Sequence, residues 1–86
     1  MEKKMNCIKQ FKYRICSDLD YEGMVVDVVY NGEILAILNM DKGSNNIEIK
    51  VFEPVKEYWE FKLDDFMETL QKAKKLLIEV NEKPEE

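Results

Sequence analysis

Met24–Met40, MVVDVVYNGEILAILNM, decides the fold. Two apolar, β-branched runs, Met24–Tyr30 and Glu33–Met40, flank Asn31-Gly32. Asn-Gly tolerates positive φ at both central positions of a two-residue turn, so the stretch predicts a type I′ β-hairpin. A regular ladder from that turn sets Tyr30 opposite Glu33, Val28 opposite Leu35, Val26 opposite Ile37 and Val25 opposite Leu38.

Outward from the hairpin, Asp41–Asn46 (DKGSNN) reads as a turn and Ile47–Phe52 (IEIKVF) as a strand that alternates with period two. Glu53-Pro54 ends it, because proline brings no N–H to a ladder. Tyr58–Leu63 (YWEFKL) alternates again, as does the upstream strand over residues 11–16, with Phe11, Tyr13 and Ile15 opposed to Lys12 and Arg14. Five strands are expected. Phe66, Leu70, Ala73, Leu77 and Val80 then recur at helical spacing over about 65–80. Asp64 and Asp65 supply the N-cap, and Glu68–Lys72 is an i,i+4 pair. Residues 81–86 (NEKPEE) read as a solvated end. The expected fold is α+β, one domain over residues 1–86: an antiparallel meander of four to five strands packed on one C-terminal helix.

The helix-facing side of such a sheet gathers Tyr13, Ile15, Met24, Val26, Val28, Leu35, Ile37, Ile47, Ile49, Val51, Trp59 and Phe61. The hairpin's other side would carry Val25, Asp27, Val29, Ile34, Ala36 and Leu38, apolar except for Asp27. Five strands span roughly 20–25 Å against about 10 Å for a helix, so one helix cannot cover both sides. Three covers fit: the N-terminal segment (Met5, Ile8, Phe11), a second protomer, or a different protein. An apolar patch rimmed with charge marks an interaction surface.

Charge is unevenly spread. The 86 residues carry net −5. Residues 1–16 hold Lys3, Lys4, Lys9, Lys12 and Arg14 against Glu2, whereas residues 17–33 hold Asp18, Asp20, Glu22, Asp27 and Glu33 with no cation. A net-negative chain without a basic stripe predicts no nucleic-acid binding, while its acidic surface steers basic partners. No apolar run approaches a membrane span, and MEKKMNCIKQF lacks the apolar region of a signal peptide, so a cytoplasmic location is expected.

The residue inventory is poor in chemistry. There is no histidine, only Ser17, Ser44 and Thr69 carry hydroxyls of the nucleophilic type, and all three glycines fall at turns. No histidine-dependent triad, acid–base pair or metal site can be assembled, and no glycine-rich phosphate cradle exists. Cys7 and Cys16 match no zinc spacing and read as free thiols. Asp41-x-Gly43-x-Asn45 fails as a calcium loop, having Asn46 at the sixth position and Phe52 at the twelfth. Asp18, Asp20 and Glu22 around Tyr21 read as a metal site, a partner-facing rim or a solvated turn. No cofactor and no catalytic residue are expected.

Tyr21–Glu33 (YEGMVVDVVYNGE), then Asn39–Gly43 (NMDKG), then Leu63–Phe66 (LDDF) opening a single helix, resemble small α+β immunity proteins of bacterial polymorphic or contact-dependent toxin systems, over residues 20–80. The resemblance implies a cytosolic, non-enzymatic inhibitor that neutralises a cognate toxin by direct binding, and it carries over no individual residue role. The expected contacts are Asp18, Asp20, Glu22, Val25, Asp27, Val29, Glu33 and Ile34, meeting a protein partner such as a basic toxin domain. The alternative is a self-associating structural or regulatory module, a homodimer.

Overall fold

The Asn31-Gly32 turn closes with φ of 51° at Asn31 and 84° at Gly32, the pair of left-handed residues a type I′ turn requires. The computed structural model describes residues 10–82, so Met5, Ile8 and the end of the expected tail lie outside the described residues. Four strands, β1 (Phe11–Ser17), β2 (Met24–Tyr30), β3 (Glu33–Asn39) and β4 (Glu48–Val51), precede one helix, α1 (Leu63–Glu82). They pair antiparallel in the order β1-β2-β3-β4. This is an α+β meander with its C-terminal helix on one face.

The register departs from a regular ladder two pairs past the turn. Tyr30↔Glu33 and Val29↔Ile34 hold, and then β3 inserts one extra residue, Leu35, before Val28↔Ala36, Asp27↔Ile37 and Val26↔Leu38. The expected pairs Val28–Leu35, Val26–Ile37 and Val25–Leu38 do not form. A one-residue bulge reverses the facing of everything beyond it. Ala36 and Leu38 therefore turn toward the helix, and Ile37 turns to the other side next to Asp27. The bulge lets one strand give Leu35, Ala36 and Leu38 to the core, one side chain more than strict alternation over the same span. Leu35, at 1% exposure, lies at its centre.

Phe11, Val26, Val28, Ala73 and Leu77 complete that core, with Tyr13, Tyr30, Met40, Ile47, Trp59, Phe61, Phe66 and Leu76 around it. Phe11 thus belongs to the helix side and does not cover the opposite one. Its ring meets Tyr30 at 4.8 Å and Phe61 at 5.3 Å between centroids.

Residues 58–62 form no fifth strand. The alternation there is real, with Trp59 and Phe61 half-buried and Tyr58 and Lys62 exposed, but no ladder partner flanks it. After β4 the chain must return to the start of α1, beside Phe11 and Tyr30. It does so across the hairpin end of the sheet, where Glu33 accepts the Val55 N–H and Trp59 Nε1 donates to the Phe52 carbonyl at 2.8 Å. Leu63, which alternates with Trp59 and Phe61 in the sequence, is exposed.

The helix runs two residues beyond its expected span at each end. Asp64 and Asp65 sit inside the first turn, not at the cap, where carboxylates still favour the positive end of the helix dipole. Thr69, Ala73 and Leu77 form the buried stripe, and Glu68 and Lys72 pair at 3.2 Å. The helix packs chiefly over β2, with lesser contact to β3 and β1. β4 is left uncovered on its helix side: Ile49 and Val51 are 44% and 56% exposed.

Candidate protein-docking surface

The acidic stretch between β1 and β2 is a locked turn. The Tyr21 N–H donates to the Asp18 carbonyl at 3.0 Å, and the Asp20 N–H donates to Asp18 Oδ1 at 2.9 Å, the self-bonded turn that aspartate favours. The next two amides, Glu22 and Gly23, donate to the two oxygens of Asp41 at 3.0 and 3.1 Å. Asp41 is itself placed by Asn39, whose Oδ1 accepts the Asp41 N–H at 3.1 Å. Met24 then bonds to Asn81 of the helix. Residues 18–24 are held from their own side chain, from the β3–β4 turn and from α1.

At the tip of this turn stands Leu19, fully exposed at 104%. Asp20 and Glu22 on the same turn, and Asp41 that bonds to it, are exposed, and Asp18 is half-buried. Lys42, next to Asp41 in the chain, is engaged by Glu48 at 3.0 Å. The result is an exposed aliphatic side chain on a hydrogen-bonded turn, with Asp18 and Asp20 on either side of it in the chain.

The sheet side away from the helix differs from the apolar patch expected there. Ala36 and Leu38 have left it through the bulge. Cross-strand register places Arg14, Asp27, Ile37 and Lys50 in one row, with Cys16 and Val25 in the next. Val25, Asp27, Ile37 and Asn39 are all buried. The Asp27 carboxylate accepts from Arg14 Nη2 at 2.8 Å and from the Cys16 thiol at 3.3 Å. Desolvation, and then the hydrogen bond to Asp27, push the Cys16 thiol above its ordinary pKa, while the same carboxylate raises that of Arg14. Cys16 is a free, protonated thiol at neutral pH. Tyr21 and Lys50 bridge this side from the β1–β2 loop to β4, the Lys50 ammonium lying 5.7 Å from the Tyr21 ring and 5.8 Å from Phe52.

The eight expected contact residues therefore do not form one surface. Asp18, Asp20 and Glu22 lie together at the start of β2. Glu33 lies at the opposite end of the hairpin, about 20 Å away along a seven-residue strand. There it borders an open cleft of about 900 Å³ between Tyr30–Glu33 and Pro54–Glu60. Val25 and Asp27 are buried, Val29 is half-buried and Ile34 is exposed at 39%.

Sequence reasoning passed over Leu19, Asp41, Gly23 and Asn81. Asp18-Leu19-Asp20 did carry a signal, since aspartate two residues before a free amide is a turn former. The roles of Asp41 and Asn81 carried none, because their bonds span 18 to 57 residues. Among the described residues, no group of three or more Cys, Asp or Glu is placed to hold a metal ion, and no helix is long and apolar enough to cross a membrane. No protein-family model, curated protein or solved structure matches the chain.

Proposed function

We propose that the chain is a non-enzymatic protein-binding domain, an immunity-type inhibitor that neutralises a basic toxin domain by direct docking in the bacterial cytoplasm. The observation that carries this reading is Leu19, wholly exposed on a turn locked by Asp18 and Asp41, between Asp18 and Asp20 in the chain. A single exposed leucine is ordinary. One presented on a backbone already fixed by hydrogen bonds offers apolar contact at a lower ordering cost, because the turn loses little backbone freedom on binding. The carboxylates supply the long-range steering that speeds encounter with a cationic surface.

The test is affinity capture from the producing cell with the wild-type chain and with Leu19→Asp/Asp20→Lys/Glu22→Lys. The expected result is a basic protein retained by the wild type and lost by the variant, whose toxicity in growing cells is suppressed when the wild-type chain is co-expressed. Equal retention by the variant would remove the acidic turn as the docking surface. Capture of a protein that the wild-type chain does not neutralise would remove the inhibitor reading.

A further inference from the structure

We propose that β4 pairs with β4 of a second copy across a two-fold axis, in the one register that places Ile49 opposite its counterpart. This uses the sheet edge and not the 18–22 turn, so it stands apart from the reading above.

β4 is an outer strand, pairing only with β3 among the described residues. α1 leaves its apolar side bare. Ile47, Ile49 and Leu38 line a shallow trough with Leu70 and Lys74 of the helix. Such an edge is a template for another strand unless it is protected.

The backbone sets which groups are on offer. The Phe52 N–H donates to the Leu35 carbonyl at 2.9 Å, so Phe52 turns its polar groups inward to β3. Antiparallel ladders alternate, hence Lys50 and Glu48 also bond inward, and Ile47, Ile49 and Val51 direct N–H and C=O outward. A second strand must match odd residues with odd.

Four registers centred on a residue of β4 meet that condition, and centring on Val51 opposes Lys50 to Phe52 and Ile49 to Glu53, which pairs no opposite charges. Centring on Glu48 opposes two glutamates, and centring on Lys50 opposes two lysines. Centring on Ile49 opposes Glu48 to Lys50 twice, Ile47 to Val51 twice and Ile49 to itself. Opposite charges then meet on one side and branched apolar side chains on the other, the pairings that stabilise cross-strand neighbours. Both helices fall on the same side of a continuous eight-stranded sheet. β1, the other edge, sets cation against cation when centred on Lys12, Tyr13 or Arg14, and centred on Ile15 it opposes Arg14 to Cys16 and no pair of opposite charges within the strand. The occupant that fits the β4 edge is therefore another copy of this chain.

A contact of this length buries less than about 1,200 Å² in total, the range of weak association. Sedimentation of the full chain from about 10 µM to 1 mM at low salt should show a monomer–dimer equilibrium with a dissociation constant inside that window. Glu48→Lys and Lys50→Glu should each weaken it about tenfold, and the double exchange should restore it to within about threefold. Ile49→Pro, which removes an outward N–H and leaves the β3 ladder intact, should abolish it with unchanged circular dichroism. A chain that stays monomeric to 1 mM, or a dimer that the double exchange fails to restore, overturns the proposal.

Discussion

Asn81 and Met24 are joined by two hydrogen bonds of 3.0 Å each: the Asn81 side-chain oxygen accepts the Met24 N–H, and its amide nitrogen donates to the Met24 carbonyl. The same nitrogen also donates to the Leu77 carbonyl one turn back at 3.0 Å. A side-chain amide thus acts as a strand neighbour to the first residue of β2. It ties the end of α1 to the sheet 57 residues earlier.

Removing this clamp by Asn81→Ala leaves a part-buried peptide group without partners, at a cost of about 1–3 kcal/mol. Gly23 is the reason the clamp fits, since a Cβ there would stand 2.7 Å from Asn81 Oδ1. Gly23→Ala should therefore destabilise the wild type by a similar amount and cost much less in the Asn81→Ala background. Urea unfolding followed through Trp59, the only tryptophan, reads both. Additive effects would show that the two residues act separately.

Thr69 offers a gain. It is fully buried in the helix stripe, and its hydroxyl has no hydrogen-bond partner among the described residues. Thr69→Val keeps the shape and removes the unsatisfied group, so thermal unfolding should shift upward, by about 1 kcal/mol in stability. The Tyr13 hydroxyl, which donates to the Thr69 carbonyl at 3.3 Å, is left in place by this change.

The thiol of Cys16 should be slow to alkylate. Peptide-resolved iodoacetamide labelling at pH 8 should find Cys16 less reactive in the folded chain than in urea. Asp27→Asn should speed the folded reaction, since it removes a carboxylate that disfavours the thiolate. The sign for stability follows. The folded chain raises the pKa of Cys16, through desolvation first, and of Tyr13, through burial. Their contribution is complete below the ordinary values of 9.0 and 10.0 and is lost as pH rises through the folded ones. Urea midpoints should therefore decline above about pH 9.

Arg14 and Asp27 should prove asymmetric. Arg14 is largely exposed, whereas the Asp27 side chain is 7% exposed. Arg14→Gln strands a buried carboxylate, so it should lower the urea midpoint more than Arg14→Gln combined with Asp27→Asn, which removes the charge as well. A double variant weaker than the single one would mean that the Asp27 charge itself stabilises the sheet.

What the chain's own order of residues determined is local. Asn31-Gly32 closes its turn because both residues tolerate positive φ, the period-two runs are extended, and the 3.6-residue stripe from Phe66 to Val80 is a helix. The absence of histidine excludes histidine-dependent catalysis and metal binding whatever the fold. The tertiary structure alone decided the register beyond Val29, because β3 is apolar at odd and even positions alike and local pattern gives no preference. It decided that Trp59 and Phe61 pack without a ladder, since alternation reports an extended chain and not a neighbouring strand. Asn81, which the local pattern assigns to a solvated end, became an anchor only once β2 was beside it. Burial and hydrogen bonding across such distances belong to the assembled fold, and no window of sequence contains both partners.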